Sequence, residues 1–380
     1  MTGKGALFSG LALLLILGVS LTAILRLIPR LPGDEKWSFQ TGSGSIHAVS
    51  PTISNGIIYS GSNRYLYALD TSGRQQWSFD MKGIIASSPV VANGMVYISA
   101  NDDSGHLYAL DARSGRQKWQ FKQEDGYIGS SIVVGGIVYI GSSSPSSDGN
   151  LYALNAVSGI QQWSFHTGSR IEGGGISSSL AVANGIIYVR SDDGNLYALD
   201  ALSGSKKWQW AYPTDPADPF ADSNVSSPVV ANGIVYISSD EGKMSALDAL
   251  SGHQKWHWTY PVDPYPNSQE SYRTATPIVV NGIVYEGSNN GNLYALDAFS
   301  GWQKWSFQAR GPILSTPMMV NGIIYVGSND NNLYALDALS GSKKWSFQTG
   351  SAIESVPTVA NNVVYVSSSD AKLYAIQTLS

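Results

Sequence analysis

The chain has 380 residues, of which 13% are charged and 11% aromatic, with 40 Gly, 21 Tyr, 11 Trp and no Cys. The charged fraction is about half the usual value of about 25%, which argues against a coiled coil or a charged disordered tail. The net charge of −5 excludes the basic surface that nucleic-acid binding requires. Without Cys there is no disulfide, no thiolate metal site, no Cys nucleophile and no lipidated N-terminal Cys.

The N-terminal segment differs from the rest of the chain. Residues 6–25 are a stretch of 20 residues without charge, and at about 1.5 Å per residue they match a hydrocarbon core of about 30 Å. We therefore predict that residues 1–30 are an N-terminal membrane anchor with one transmembrane helix, and that residues 31–35 are a linker. A cleaved signal segment is the alternative. The Cys-free body rich in Tyr and Trp favours an extracytoplasmic location.

A repeat with a mean period of 44 residues fills residues 36–380. Eight copies of a phrase like Leu-Tyr-Ala-Leu-Asp alternate along the chain with eight copies of Trp-x-Phe or Trp-x-Trp. The eight copies of that Trp are Trp37, Trp77, Trp119, Trp163, Trp208, Trp256, Trp305 and Trp345. A period of this length suits four short strands per unit.

Within each unit we predict four strands, A to D. Strand A ends in an Asn-Gly pair such as Asn93-Gly94, which supplies the positive φ of a two-residue hairpin turn. Strands B and C are rich in Val, Ile, Leu and Tyr, and strand D carries the Trp. The sequence therefore predicts an all-β fold, an eight-bladed β-propeller of four-stranded antiparallel blades.

The two ends of the repeat complete each other. The last unit stops after its strand C, whereas Trp37-Ser38-Phe39 is a strand D without the other three strands before it. We predict that residues 36–40 form the outer strand of the blade made by residues 353–377. The N-terminal strand would then close the ring and cover an open sheet edge.

The turn between strands C and D carries the pattern Ala-x-Asp-x-x-x-Gly-x-x-x-Trp, as in Ala198, Asp200, Gly204 and Trp208. This pattern resembles the tryptophan-docking motif of the pyrroloquinoline-quinone (PQQ) dehydrogenase propellers. It is also similar to that of the related non-enzymatic repeat proteins, such as the BamB-type propeller of the outer-membrane assembly machinery. The resemblance implies that each Trp packs between neighbouring blades, against a neighbour's Ala and Gly, while the Asp ties the turn. A large flat ring would bury much apolar area there.

Turn lengths distinguish the two faces of the predicted propeller. The A–B and C–D turns, which define the turn face, hardly vary in length. The B–C turns and D–A connections define the loop face. There the distance from Trp to the next strand A is 17, 20 and 21 residues on entering units 4, 5 and 6, against 12 to 14 elsewhere. Long loops on a rigid scaffold commonly carry function.

The two longest connections both contain Tyr-Pro-x-Asp-Pro. Exposed aromatic side chains on Pro-stiffened loops can anchor a protein partner. Our candidate binding residues on this rim are Tyr212, Asp215, Asp218, Phe220, Asp222, Tyr260, Asp263, Tyr265, Arg170 and Arg273. The alternative is a blade duplicated together with its loop, without any binding role.

The sequence thus favours a membrane-anchored, non-catalytic protein-binding or scaffold module in the manner of the BamB-type propellers. No spacing of His, Asp and Glu matches a metal-binding loop, so we name no catalytic or metal residue and expect no cofactor. The alternative is a PQQ-dependent oxidoreductase acting on an alcohol or sugar. The resemblance implies that such an enzyme would hold the quinone and a calcium ion in its central funnel, with Glu, Asn and Asp oxygens as ligands.

Overall fold

The computed structural model describes residues 31–42, 49–124, 126–144, 149–168, 175–176, 179–211, 226–239, 242–261 and 274–378. This part of the chain folds into eight antiparallel sheets, which confirms the predicted eight-bladed propeller. The predicted anchor in residues 1–30 lies outside it. Within the described ranges we find no helix with the length and apolar character that a membrane crossing needs.

Each blade has four strands in the order A to D, and blade 2 has the additional short strand β6 (Ile84–Ile85). The A strands are β2 (Thr52–Ser54), β7 (Val90–Ala92), β11 (Tyr127–Val134), β15 (Ala181–Ala183), β19 (Val229–Ala231), β23 (Ile278–Val280), β27 (Met318–Val320) and β31 (Thr358–Ala360). The B strands are β3 (Ile57–Ser62), β8 (Met95–Asn101), β12 (Ile137–Ser143), β16 (Ile186–Ser191), β20 (Ile234–Ser239), β24 (Ile283–Gly287), β28 (Ile323–Gly327) and β32 (Val363–Ser368). The C strands are β4 (Tyr65–Asp70), β9 (Gly105–Asp111), β13 (Asn150–Asn155), β17 (Asn195–Asp200), β21 (Lys243–Asp248), β25 (Asn292–Asp297), β29 (Asn332–Asp337) and β33 (Lys372–Gln377). The D strands are β5 (Gln75–Asp80), β10 (Gln117–Gln123), β14 (Gln161–His166), β18 (Lys206–Ala211), β22 (Gln254–Thr259), β26 (Gln303–Gln308), β30 (Lys343–Gln348) and β1 (Glu35–Gln40).

The A strands lie nearest the axis of the ring. Strands β15 and β19 of neighbouring blades contact each other, as do β19 and β23, and elements of a ring approach their neighbours most closely at its centre. The predicted Asn-Gly turns after these strands are present, with φ of 51° at Asn93 and 75° at Gly94. Both values are positive, as the two-residue turn requires.

Strand β1 closes the ring. It pairs antiparallel with β33, so that blade 8 has the order β1-β33-β32-β31, and the predicted closure is confirmed. Gly33 N donates to Gln377 O at 2.8 Å, and Gln377 N donates to Asp34 O at 2.9 Å. Residues 33–35 of the expected linker are therefore part of blade 8.

The seams between blades follow one hydrogen-bonding scheme. At the seam of blades 4 and 5, Tyr188 OH and Trp208 Nε1 both donate to Ala249 O, at 2.9 and 3.1 Å. The face of the Trp208 ring lies on Gly252, where an added Cβ would be 2.8 Å from Cε3 of the indole. Burial raises the pKa of Tyr188 to about 12, so this phenol is a neutral donor. The other Trp residues whose indole N–H donates to the backbone of the next blade are Trp37, Trp77, Trp119, Trp163, Trp256 and Trp305.

A β-bulge in strand D orients each Trp. In blade 4, Ala198 pairs with Trp208 and Leu199 with Lys206, so Lys207 is the additional residue of the bulge. Its ammonium group lies 3.1 Å from Asp200 Oδ2. A bulge bends its strand and redirects side chains, and here the strand is tied by an ion pair to the C–D turn of its own blade.

Trp345 is the exception among the eight. Its indole N–H is buried and has no hydrogen-bond acceptor within the part of the chain that the structure describes. The residue at the position of Ala249 in blade 8 is Thr378, whose N–H donates to Asn362 O at 3.0 Å. The seam next to the closing strand therefore lacks one hydrogen bond that the other seven Trp residues make.

Candidate functional site

The predicted binding rim lies almost entirely outside the described residues. Nine of its ten candidate residues lie outside the described ranges: Tyr212, Asp215, Asp218, Phe220, Asp222, Asp263, Tyr265, Arg170 and Arg273. The remaining one, Tyr260, is the first residue after β22 and is described. The structure also shows the points where the long connections join the blades, which we call their bases.

Tyr260 is not an exposed anchor. Its side chain is only 3% exposed, so the expected exposure of this residue was wrong. The ring packs edge-on against Trp258, with 4.7 Å between the ring centroids, and against Tyr294 at 5.6 Å. An aromatic cluster of this kind buries much apolar area and fixes the start of the connection.

The phenol of Tyr260 reaches a buried carboxyl group. Tyr260 OH donates to Oε2 of Glu286, and Ser238 Oγ donates to Oε1 at 2.5 Å. Glu286 lies in β24 of blade 6 and is 1% exposed. Burial raises the pKa of this carboxyl group well above 4.5, and the hydrogen bond from Ser238 opposes that rise only in part. Tyr260, Ser238 and Glu286 thus form a buried, hydrogen-bonded cluster between blades 5 and 6.

This buried cluster joins the bases of both long connections. The connection through residues 262–273 begins after Tyr260 and leads into β23, and just before that strand Ala275 N donates to Gly287 O of β24 at 3.0 Å. The connection through residues 212–225 ends at Ser226, whose Oγ accepts from Ser238 N at 3.0 Å. Since Ser238 also contacts Glu286, one hydrogen-bonded group links the bases of the two Tyr-Pro-x-Asp-Pro connections.

The connection into blade 4 has a charged base. Arg190 in β16 is 2% exposed, and its Nη1 lies 3.4 Å from Asp192 Oδ1. Asp192 Oδ2 accepts from Gly175 N at 3.0 Å, and Asp192 N donates to Gly175 O at 2.8 Å. Gly175 follows the connection through residues 169–174. Removing one partner of a buried ion pair typically costs about 3–5 kcal/mol because it leaves a buried charge uncompensated, so Arg190 requires Asp192 beside it.

Alignment of the units could have indicated both charged positions. The residue after the Tyr of strand B is Ile or Val in six units, but Glu286 in unit 6. Two residues after that Tyr, the other units have Gly or Ser, whereas unit 4 has Arg190. A buried charge in a repeat of apolar and small residues is costly unless it is paired. These departures fall in the same units as the long connections.

The described residues offer little to a quinone or a calcium ion. The eight A strands that line the axis contain no Asp, Glu, Lys, Arg or His. Within the described ranges no three of His, Asp and Glu come together as metal ligands. A calcium ion would need several oxygen ligands, and the carboxylates of a quinone would need cations.

The fold and the seam scheme define an eight-bladed propeller of the PQQ-like repeat class. A family model described as outer membrane protein assembly factor BamB matches residues 23–169, 126–295 and 258–380. These matches cover most of the chain, which therefore belongs to the BamB family. No curated protein matches the sequence.

Solved structures share the fold at low sequence identity. BamB from Moraxella catarrhalis is 18% identical, with a TM-score of 0.70 over 90% of this chain and 99% of that one. A europium-containing methanol dehydrogenase is 16% identical, with a TM-score of 0.72 over 89% and 86%. The quinohemoprotein alcohol dehydrogenase from Comamonas testosteroni is 16% identical, with a TM-score of 0.72 over 92% and 78%. The same fold thus occurs in BamB and in dehydrogenases.

Proposed function

We propose that this protein is a membrane-anchored, extracytoplasmic, non-catalytic propeller that binds a protein partner through the loop face of blades 4 to 6. One observation carries the proposal. The bases of the two Tyr-Pro-x-Asp-Pro connections meet in the cluster of Glu286, Ser238 and Tyr260. A buried polar group that links the bases of two loops fixes the spacing of their ends, which favours a shared binding surface.

The residues of these connections suit a protein partner. They provide Tyr212, Phe220 and Tyr265 together with several Asp residues, and aromatic side chains with a polar surround are typical of protein interfaces. The matching family model is that of an outer membrane protein assembly factor. This match supports a role in protein assembly at a membrane. The apolar segment of residues 6–25 supports the tether.

Replacement of the loop aromatics tests the binding surface. In the full chain, Tyr212→Ser, Phe220→Ser and Tyr265→Ser together should abolish recovery of cross-linked protein partners and leave the melting temperature unchanged. The matched control is Tyr65→Ser with Tyr127→Ser, which alters two exposed loop-face tyrosines of blades 1 and 3. Equal partner recovery from the loop variant and the wild type would refute the proposal.

A second variant tests the shared base of the connections. Glu286→Val introduces the residue that blades 7 and 8 have at this position, Val326 and Val366, so the blade should still fold. It removes the contacts to Ser238 and Tyr260. We expect reduced partner recovery at an unchanged or higher melting temperature. Undiminished recovery would show that the cluster does not organise the binding surface.

The second candidate is a PQQ-dependent oxidoreductase, which the fold shared with the methanol and alcohol dehydrogenases supports. When bound, PQQ would accept a hydride or two electrons from an alcohol or sugar. Titration of the purified protein with PQQ and calcium, followed by absorbance and dye reduction, separates the two functions. Saturable binding with turnover would contradict the scaffold role, and no binding would contradict the oxidoreductase.

A further inference from the structure

The turn face, opposite the long connections, has an arc of exposed apolar side chains. The position two residues after the motif Asp or Asn is large and apolar in five consecutive blades, and these side chains are 62% to 82% exposed: Val157, Leu202, Leu250, Phe299 and Leu339. Ile160 and Trp302 follow three residues later in blades 3 and 6 and are 68% and 78% exposed. Single exposed apolar residues are common, but a run over five blades marks a contact surface.

The fold does not require an apolar residue at this position. In blade 4 the turn is held by hydrogen bonds from two backbone N–H groups to the Asp200 side chain. Leu202 N and Ser203 N both donate to Asp200 Oδ1 at 3.1 Å, and the side chain of Leu202 takes no part in these bonds. Blade 2 forms the equivalent turn with Arg113 at the position of Leu202. A polar side chain is therefore compatible with the turn, and its replacement by Leu, Val or Phe in blades 3 to 7 needs another reason.

The chain enters the propeller on this same face. Gly33 and Asp34 hydrogen-bond to Gln377 and occupy the C–D turn position of blade 8. Leu31, next to them, is 67% exposed. Residues 26–30 are the only ones between Leu31 and the apolar segment of residues 6–25, and five residues span at most about 18 Å. A bilayer that holds residues 6–25 must therefore lie close to the turn face.

Basic residues accompany the apolar arc. The motif carboxylates are paired within their own blades, as Asp248 is with Lys255 at 3.1 Å. Arg113 and Arg116 in the turn of blade 2, and Lys343 beside that of blade 7, add positive charge in a chain whose net charge is −5. Apolar side chains together with Lys and Arg are typical of surfaces that lie in the interface of a membrane.

We propose that the turn face lies on the surface of the bilayer that holds residues 6–25, with the apolar arc inserted among the lipid headgroups. This inference rests on the tether of the proposed function. It places blades 3 to 8 against the membrane through side chains that the fold leaves exposed. The loop face of blades 4 to 6 then points away from the lipid, where a protein partner can reach it.

The absence of Cys allows a direct test with single-cysteine variants. Full-length Leu202→Cys, Leu250→Cys and Leu339→Cys are labelled with an environment-sensitive fluorophore and reconstituted into vesicles of phosphatidylethanolamine and phosphatidylglycerol. Tyr65→Cys and Tyr127→Cys are the loop-face controls. Brominated phospholipids should quench the three turn-face probes and shift their emission to the blue, and they should leave the control probes unaffected. Equal melting temperatures would verify that each variant folds.

Two results with the labelled probes would overturn the proposal. The first is that lipid quenches the turn-face probes no more than the controls. The second is a blue shift without lipid quenching, which would mean that protein covers the arc. Flotation of the full chain with vesicles reports on the tether separately. A chain that does not float refutes the tether and this proposal together, whereas a floating chain with unquenched turn-face probes refutes this proposal alone.

Discussion

Gly33 packs against the indole of Trp345 and joins the two ends of the propeller. A Cβ atom added to Gly33 would lie 3.4 Å from Cε3 of Trp345, and the residue has φ of +92°. Gly33 precedes Trp37 by four residues, the spacing that separates Gly341 from Trp345. Gly33 is thus the glycine of the eighth C–D turn, whose first half lies more than three hundred residues later at Gln377.

This divided turn is looser than the continuous ones, which predicts a difference between two glycine substitutions. A Cβ on Gly204 would lie 2.6 Å from Cε3 of Trp163, closer than side chains approach one another, whereas the contact at Gly33 is ordinary. Gly204→Ala should therefore lower the free energy of unfolding more than Gly33→Ala. Gly33→Ala should cost only the strain of its positive φ, about 1–2 kcal/mol.

Gly56→Ala provides the reference for that strain. Gly56 has φ of +75°, and an added Cβ would meet nothing within 4 Å. Chemical denaturation of the three variants checks the order. Equal destabilisation by Gly33→Ala and Gly204→Ala would contradict the looser packing of the divided turn.

The indole N–H of Trp345 supplies a second prediction. Trp305 Nε1 donates to Ala338 O at 3.2 Å, whereas the buried Nε1 of Trp345 has no acceptor within the described ranges. Replacement by Phe removes a similar ring area at both sites, but only Trp305→Phe loses a hydrogen bond. An unsatisfied buried donor costs about 1–3 kcal/mol. Trp345→Phe should therefore be less destabilising than Trp305→Phe by about that amount in equilibrium unfolding.

Equal losses for the two Phe variants would contradict this interpretation of the seam. A matched comparison is needed because both rings also lose contact with a glycine of the next blade. Trp256→Phe is a further control, since Trp256 Nε1 donates to Ala298 O at 3.1 Å. It should behave like Trp305→Phe.

The repeat made most of the fold predictable. Asn-Gly pairs, Tyr-rich strands and the spaced Trp recur in almost every unit, so local chemistry and global fold agree. The closing strand was also predictable, because Trp37 stands in a strand D without partners before it. Gly33 falls in the predicted linker, because the turn to which it belongs is recognisable only when the sequences of both chain ends are compared.

The site was less predictable for two physical reasons. Loop length indicates where a connection is long but not which of its side chains turns inward, and Tyr260 turns into the seam beside Trp258. Glu286 has an ionisable side chain within a strand, and its role depends on the hydrogen bond from Ser238 in the preceding blade. Only the packed structure brings these residues together.

Acid should weaken the propeller through its C–D turns. Hydrogen bonds from Lys207 and from the turn lower the pKa of Asp200 to about 2. The unfolded chain then binds more protons than the folded one, so the stabilisation from Asp200 is present above about pH 4 and is lost as the pH falls towards 2. Asp200→Asn should reduce the loss of stability over that range in thermal melts at stepped pH.

The chain contains its own precedent for that variant. Asn155 holds the same position in blade 3, and its Oδ1 accepts from Val157 N and Ser158 N at 3.0 Å. Asp200→Asn should therefore fold normally at pH 7. An unchanged pH dependence between pH 4 and 2 would show that Asp200 does not contribute to acid stability.

Glu286 should lower the stability of the propeller at high pH, whereas Asp200 should lower it at low pH. Burial raises the pKa of Glu286 well above 4.5, so the folded chain binds more protons than the unfolded one once the pH exceeds about 4.5. The free energy of unfolding therefore falls as the pH rises from there towards the raised pKa. Glu286→Gln keeps the shape of the side chain and should remove this decline, so that the variant exceeds the wild type in stability at pH 8. Parallel pH profiles of the two proteins would contradict the burial argument.

The central claim is that the loop face of blades 4 to 6 receives the partner, and site-specific photo-crosslinking in native membranes tests it most directly. A photoreactive phenylalanine replaces Phe220 or Tyr265 in the long connections, Tyr65 on the loop face of blade 1, or Leu250 on the turn face. We expect discrete protein adducts from positions 220 and 265 and none from position 65 or 250. Protein adducts formed as readily from position 65 or 250, or none from positions 220 and 265, would contradict the account.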